Sequence, residues 1–561
     1  MSEAPKRRLQ TGWLLKESIV STRIEPDVAA RNTQHATPVT HHTSRLTYYI
    51  WTIGCQMNRA DARRAGTALE ALGYRPVERA EDADLVILNS CVVRQSAEDK
   101  VVGRLSSLRS LKARRPGTAI VLMGCLVGDI AALQARFPHV DLFVRPSDVE
   151  GLVAWVRTTI PSPLWGEGRV RGEHPSPQPS PSPLWGEGRR EGDQPQERPV
   201  AYAGEALPVD RNARHDADAP LTPSRCTGPA LALSPAGERE LVAVSAEVTA
   251  MMGCDRHCTY CLVRLRRGPG RSRTPEEIVA EAQALVQSGV REIALLGQNI
   301  DAYGRDLPPV GQAFQPVQPN DGPESPSHEA RPTLATLLRQ VHDIPGLLRL
   351  RFLTSHPADL SDEVIQAVAE LPKVCPHWEL PVQAGDDEVL RRMGRGYTAA
   401  EFLALVERIR ARLPGSSIAT DVIVGFPGET AEQFERTLEL LRAARLDAVH
   451  VACYSVRPGT PAARLPDDVP PAEKERRRQA VEALQEGVVG EINARLLGQE
   501  VEVLVEELHR GKWKGRTATN KLVFFQDARE WRGRLARVRI TKTGPWSLQG
   551  EAVEEGVRGE T

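Results

Sequence analysis

Three cysteines stand at C-x3-C-x2-C spacing in Gly253-Cys254-Asp255-Arg256-His257-Cys258-Thr259-Tyr260-Cys261, directly after the β-like run 241–249. The odd count is informative. Structural zinc takes four protein ligands in a tetrahedron, and C-x2-C pairs for it usually come in twos. Three thiolates this close suit three corners of an iron–sulfur cubane and leave the fourth iron open to a non-protein ligand. The spacing therefore points to chemistry at an open iron. A zinc knuckle completed by His257 or a distant residue is the alternative.

Upstream, apolar β-like runs at 46–53, 85–88 and 119–123 alternate with helix-like stretches at 58–72, 96–111 and 129–137. Such alternation implies a parallel sheet of βα units. The unbroken apolar run Leu85-Val86-Ile87-Leu88 fits a strand buried on both faces. Each run ends in a short turn carrying one cysteine: Cys55, Cys91 and Cys125. In a parallel α/β sheet the strand C-termini share the edge where ligands bind. Three cysteines far apart in sequence are thus predicted to converge as a second three-thiolate site. The others, Cys226, Cys375 and Cys453, read as inert thiols, since nine cysteines in 561 residues make no disulfide framework.

From 241 to about 455 strand and helix alternate six times, with strands expected at 241–249, 292–296, 348–354, 378–382, 418–424 and 448–454. Thr274-Pro275-Glu276-Glu277 opens the first long helix, with threonine as N-cap, proline at N1 and Glu277 at the capping-box position. Six βα units predict a partial or complete α/β barrel whose chemistry sits at the C-terminal face of its strands. The cysteine loop, Gln298, His356, Gln383 and Asp421 all fall at or just after strand ends and would share one rim.

The remaining stretches are polar. Residues 1–44 read as a disordered leader, and 304–331 as an inserted loop. Within 161–238, Pro161-Ser162-Pro163-Leu164-Trp165-Gly166-Glu167-Gly168 recurs at 181–188 in a Pro/Gly-rich context too poor in apolar surface to fold. The segment 494–554 has β-like runs at 500–505, 521–525 and 535–540 and reads as a small β-barrel. It interleaves Lys512, Lys514, Arg516, Lys521, Arg529, Arg532, Arg534, Arg537 and Arg539 with Trp513, Phe524, Phe525, Trp531 and Trp546. That mixture suits an RNA platform, and a solvated β-module is the plainer reading. A second basic run, Arg264, Arg266, Arg267, Arg271 and Arg273, reads either as RNA contact or as a solvated helix approach. With a net charge of −1, any basic surface must be local. No run approaches the roughly 20 apolar residues of a membrane helix, and MSEAPKRRLQ has no signal-peptide h-region, so a cytoplasmic protein is expected.

Taken together, the sequence resembles the radical S-adenosylmethionine methylthiotransferases, closest to the tRNA branch that makes 2-methylthio-N6-isopentenyladenosine. The likeness runs through Gly54-Cys55-Gln56-Met57-Asn58, Asn89-Ser90-Cys91, Gly124-Cys125, the cysteine loop, Leu296-Gly297-Gln298-Asn299 and Thr354-Ser355-His356-Pro357. It continues through Leu380-Pro381-Val382-Gln383, Thr420-Asp421 with Gly425-Phe426-Pro427-Gly428, Arg457-Pro458-Gly459-Thr460-Pro461 and Gly515-Arg516-Thr517-Ala518-Thr519-Asn520. The resemblance implies an N-terminal parallel α/β domain (45–160), a central radical-SAM partial (β/α)6 barrel (239–490) and a C-terminal TRAM β-barrel (494–554). It implies two [4Fe-4S] clusters: a radical cluster on Cys254, Cys258 and Cys261, and an auxiliary, sulfur-bearing one on Cys55, Cys91 and Cys125. S-adenosylmethionine would lie against Gly297, Gln298, Asn299, Gln383, Asp421 and Gly425. The expected partners are a tRNA anticodon stem-loop and an electron donor such as flavodoxin or ferredoxin, with the enzyme a monomer. Departures occur at Val263-Arg264-Leu265 and Ala384-Gly385-Asp386, where the family usually has Val-Pro-Tyr and Ser-Gly-Ser. Competing readings are a methylthiotransferase for threonylcarbamoyl-adenosine or a ribosomal-protein aspartate, and a non-catalytic zinc-dependent RNA binder.

Overall fold

The computed structural model describes residues 46–91, 95–160, 243–309 and 331–553. The expected leader, the repeat-bearing insertion with Cys226 and most of the 304–331 loop lie outside the described residues.

The first sheet contains β1 (Thr47–Thr52), β2 (Arg75–Pro76), β3 (Leu85–Ser90), β4 (Ala119–Gly124) and β5 (Leu142–Val144), ordered β2-β1-β3-β4-β5 and parallel throughout. Every residue of β3 and β4 is buried, because helices cover both faces. On one side α1 (Gln56–Ala71) and α4 (Val149–Thr159) contribute Ala65, Leu69, Leu152 and Val156 to a core. On the other, α2 (Gln95–Arg114) contributes Val101, Leu105 and Leu108, with α3 (Ile130–Arg136) packed beside it. The fifth strand and α4 are additions to the sequence reading; three residues are too short a run to stand out.

The central unit carries β6 (Ser245–Thr249), β7 (Met251–Met252), α5 (Val263–Arg267), β8 (Arg271–Ser272), α6 (Pro275–Gln287), β9 (Glu292–Leu296), α7 (Leu334–His342) and β10 (Arg349–Leu353). It continues with α8 (Asp362–Glu370), β11 (His377–Glu379), α9 (Asp387–Met393), α10 (Ala399–Arg412), β12 (Ser417–Val424), α11 (Ala431–Ala444), β13 (Ala448–Cys453) and α12 (Pro471–Ala494). Two parallel three-stranded sheets, β10-β9-β6 and β11-β12-β13, join through the parallel bridge Leu350–Val374 and the bond from Cys375 N–H to Leu350 O at 2.8 Å. Six strands therefore follow one another in chain order as a partial (β/α)6 barrel. Thr274 caps α6 as expected, accepting from Glu277 N–H, while the Glu277 carboxylate pairs with Arg273 at 3.7 Å. The β7–β8 pair brackets the cysteine loop and α5, pinning both ends of 253–270.

After α12 come β14 (Glu500–His509), β15 (Lys512–Thr517), β16 (Leu522–Gln526), β17 (Leu535–Thr543) and β18 (Leu548–Ala552), closed as a barrel in the order β14-β15-β16-β18-β17. The RNA-platform reading of its aromatics needs correction. Trp513, Phe525 and Trp531 face inward and form the barrel core, whereas Trp546 is exposed. The strands alternate, so every second residue of this basic, aromatic run must turn inward. The cations are not bare either: Arg537 and Arg539 pair with Glu500, Arg529 with Asp527, and Lys521 with Asp447.

Candidate active site

Cys55, Cys91 and Cys125 follow β1, β3 and β4, which are neighbours in the sheet. The register places Thr52 beside Asn89, and Ser90 beside Gly124, so the three chain ends leave the sheet side by side. Two glycines make the crowding possible. A Cβ on Gly54 (φ +126) would stand 2.3 Å from Cys91 Cβ, and one on Gly124 (φ +106) 2.5 Å from Ser90 O. Buried Asn58 staples the edge, donating from Nδ2 to Ile53 O (2.9 Å) and to Ser90 O (2.8 Å). Cys55 is the N-cap residue of α1, where amide N–H groups favour a thiolate. A hydrogen bond with Cys91, aided by those amides and the Arg267 charge, brings Cys55 down to about 6 against the cost of desolvation. Burial pushes Cys125 up, and Arg267 opposes the rise.

The second set sits in the loop after β7. Gly253 N–H donates to Gln298 Oε1 (2.5 Å), Cys254 N–H to Gly268 O (3.2 Å), and Thr259 N–H to Met393 O (2.9 Å). Buried Arg395 donates to Cys258 Sγ at 3.2 Å and to Pro381 O at 2.6 Å. Arg256, inside the loop, grips buried Asp359 through Nε (2.7 Å) and Nη2 (2.5 Å). Asn299 and Arg305 reach the same carboxylate at 2.8 Å each. These donors outweigh burial and hold Asp359 well below the usual carboxylate range. His257, which a zinc knuckle would enlist, is exposed.

The rim residues do converge there. Gln298 Nε2, Asn299 Oδ1, Gln383 Oε1 and His356 Nε2 are buried and without a protein partner. Ala358 N–H donates to His356 Nδ1 at 3.3 Å, which fixes the neutral tautomer with its proton on Nε2. Burial, helped by Arg395 and Arg256, depresses His356 to about 3, so the ring stays neutral. Two donors and two acceptors therefore face one rim, and each would cost about 1–3 kcal/mol if never satisfied. Thr354 (φ +72) and Gln383 (φ +74) are left-handed non-glycines at this same rim, a place where backbone strain commonly marks ligand contact. Asp421 lies exposed on β12, beside the parallel bridge of Gln383 with Val422. Gly297 follows β9 and Gly425 follows β12. A Cβ on Gly297 would meet Met251 Cγ at 2.8 Å; Gly425 abuts Lys474 and gives its N–H to Glu429 at 2.6 Å.

The helix that follows Cys55 docks on the barrel's strand ends. Met57 and Ala60 of α1 pack against Leu296 and Leu353, the last residues of β9 and β10. Arg63 and Arg59 of α1 reach Glu247 on β6. The basic run after the loop is correspondingly not one surface. Arg267 is buried against Asp61, Arg266 abuts Gly128, and Arg273 pairs with Glu281, which leaves Arg264 and Arg271 exposed. Asp359, Arg395 and the contacts of Arg267 leave no local signal in the sequence, because their partners lie far along the chain.

Among the described residues no three His, Cys, Asp or Glu side chains converge on one metal ion. A cubane asks for something looser, since each thiolate binds its own iron at a separate corner. The thiols and the unpartnered rim groups fit such a cluster and a polar, zwitterionic ligand beside it.

The barrel and its cysteine loop are those of radical S-adenosylmethionine enzymes: residues 248–441 match the Radical SAM superfamily. Residues 47–145 match the Uncharacterized protein family UPF0004, and 494–553 the TRAM domain. A tRNA-2-methylthio-N(6)-dimethylallyladenosine synthase of Roseiflexus sp. is 44% identical over 95% of this chain and 94% of its own. One of Herpetosiphon aurantiacus is 41% identical over 91% of this chain and 98% of its own. A solved radical S-adenosylmethionine methyltransferase, TsrM from Kitasatospora setae, is similar at 14% identity and TM-score 0.45, over 75% of this chain and 74% of that one. The chain belongs to the family of tRNA-2-methylthio-N(6)-dimethylallyladenosine synthases.

Proposed function

We propose that this protein inserts sulfur at C2 of N6-isopentenyladenosine beside the tRNA anticodon and methylates it. Two [4Fe-4S] clusters would be held, one by Cys254, Cys258 and Cys261 and one by Cys55, Cys91 and Cys125, with S-adenosylmethionine at the rim. When bound, these groups supply one-electron cleavage of a sulfonium, activation of an unreactive C–H bond, and a sulfur atom to transfer. The observation that carries the reading is the docking of α1, which follows Cys55, on the ends of β9 and β10 and beside Met252, just ahead of the loop that bears the second thiol set.

The chain's own residues do the rest. Arg395 donates to Cys258 Sγ and holds that side chain in place. Arg256, locked on Asp359, fixes the loop between its first two cysteines. Neutral His356 and Gln298 offer N–H donors, and Asn299 and Gln383 offer carbonyl acceptors, the complement required by a carboxylate, an ammonium and a ribose. Exposed Asp421 adds a negative charge on the inward course of β12. Exposed Arg534 and Trp546, with Arg537 and Arg539 exposed but shared with Glu500, are cationic and aromatic groups offered to an anticodon stem-loop. Among the described residues no helix is long and apolar enough to cross a membrane. A monomeric cytoplasmic enzyme, reduced by a flavodoxin- or ferredoxin-class donor, completes the proposal.

Mass spectrometry of tRNA nucleosides from a deletion strain tests the substrate. Loss of 2-methylthio-N6-isopentenyladenosine, restored by this gene and not by a C254A/C258A/C261A triple variant, is the expected result. Persistence of the nucleoside without the protein would overturn it.

A further inference from the structure

Arg267 closes α5, a few residues beyond Cys261, yet its side chain leaves the barrel and ends inside the first sheet's unit. It is 3% exposed and its partner Asp61 is fully buried, with Nη2 at 2.9 Å from Asp61 Oδ2. The same nitrogen donates to Asn58 Oδ1 at 3.2 Å, and Nη1 to Ser147 Oγ at 2.6 Å. Ser147 in turn donates to the other Asp61 oxygen at 2.9 Å. Asn58 and Asp61 lie in the first turns of α1, directly after Cys55, and Asn58 is the residue that staples the ends of β1 and β3. One guanidinium thus connects the helix after one thiol set to the helix that follows Cys55 of the other.

Burying an ion pair costs several kcal/mol per ion, and an apolar contact of equal volume would hold the two units at least as well. A cation here therefore needs a further reason than adhesion. Its position supplies one: the Asn58 Oδ1 that accepts from Arg267 Nη2 lies 3.9 Å from Cys55 Sγ, so the buried charge stands beside the thiol edge. A fixed positive charge beside a metal–thiolate group stabilises its more negative, reduced form, as second-shell donors do generally.

We propose that Arg267 is a positioning residue with two effects: it registers the Cys254–Cys261 loop against the Cys55–Cys91–Cys125 edge, and it raises the reduction potential at that edge through its buried charge. The inference rests on the two-cluster reading above. Arginine suits both effects, since its planar fork spans Asp61, Asn58 and Ser147 together, whereas lysine brings the charge without the fork.

The test uses the full chain, reconstituted anaerobically, as wild type, Arg267→Gln and Arg267→Lys. Edge potentials are read by EPR-monitored titration in a C254A/C258A/C261A background, and turnover as methylthio product per deoxyadenosine in the otherwise native chain. Arg267→Gln is expected to weaken the edge's hold on an electron at least tenfold, about 59 mV for a one-electron couple, and to cut product per deoxyadenosine at least tenfold. Arg267→Lys should keep the potential near wild type while the product ratio still falls, a split that general loss of structure does not produce. In the metal-free chain, amide exchange around Asp61 should speed up at least tenfold in Arg267→Gln. A wild type with about four irons removes the two-cluster reading and this inference with it. About eight irons, with the potential of Arg267→Gln unchanged, overturns the inference alone.

Discussion

At the scale of single residues, the edge site is built by what is missing from two positions. Gly54 and Gly124 hold φ values of +126 and +106, which side-chain-bearing residues avoid, and each hands the chain straight to a cysteine. At Gly54 the strain and the contact act together, because a methyl group would overlap Cys91 at 2.3 Å. On the proposed two-cluster reading, Gly54→Ala should therefore displace Cys91 and lower iron from about eight to about four per chain, with the loop cluster retained. Gly103 in α2 is the contrasting case, with nothing within 4 Å of an added Cβ. Gly103→Ala should leave iron unchanged and raise stability by about 0.5–1 kcal/mol, from removal of a mid-helix glycine. Iron analysis and urea denaturation of the two variants check the pair; equal iron in both would remove the steric argument.

At the scale of elements, the strand ends gather charge that the barrel must tolerate. Glu379 ends β11, and burial together with the Asp421 carboxylate raises it from 4.5 to about 7. The folded state then holds a proton that the unfolded chain has released between those values. Its contribution is fully present below pH 4.5 and is lost as pH rises through about 7. Glu379→Gln cannot ionise, so its melting temperature relative to wild type should climb across that interval, by up to about 3 kcal/mol in free-energy terms. A difference that stays flat with pH would refute the assignment. The same strand ends show which features the sequence discloses. Central strands β3 and β4 announce themselves as unbroken apolar runs, and a glycine–cysteine step after a strand is a local signal. Strand β5 is too short, and β15 (Lys-Trp-Lys-Gly-Arg-Thr) too charged, to be read without the neighbours that bury Trp513 and Thr517. Composition likewise shows that aromatics are present but not which way they face, so Trp513, Phe525 and Trp531 passed for a stacking surface. The Arg267–Asp61 pair spans 206 residues of chain, and no local pattern encodes it.

At the scale of the whole molecule, the terminal barrel is tied to the end of the central barrel opposite the cysteines. Arg349 and Arg351 alternate along β10 with apolar Leu350 and Phe352, so both arginines share the face turned away from the helices. Arg351 donates to Thr517 O (2.8 Å) and Ala518 O (2.9 Å) and pairs with Glu292 at 2.9 Å. Arg349 reaches Arg516 O at 2.5 Å and Glu502 O at 3.1 Å, while Lys521 pairs with Asp447 at 2.8 Å. The Gly515–Asn520 stretch, which resembles an RNA-binding motif, is thus engaged through its backbone in closing the barrel floor. Truncating Arg351 to alanine removes two carbonyl partners and leaves the buried Glu292 carboxylate without its cation, with Ser245 Oγ (2.7 Å) still donating to it, a change worth about 3–5 kcal/mol. Replacing Glu292 by leucine and Arg351 by methionine together removes the uncompensated charge and leaves the carbonyls unserved, exposed Ser245 being open to water, at about 1–3 kcal/mol. The double variant should therefore be more stable than the single one in urea titration, and limited proteolysis should free the terminal barrel most readily from Arg351→Ala. A single variant within 1 kcal/mol of wild type would mean that this buried pair does not couple the two barrels, and that Arg349, the Lys521–Asp447 pair and α12 hold them.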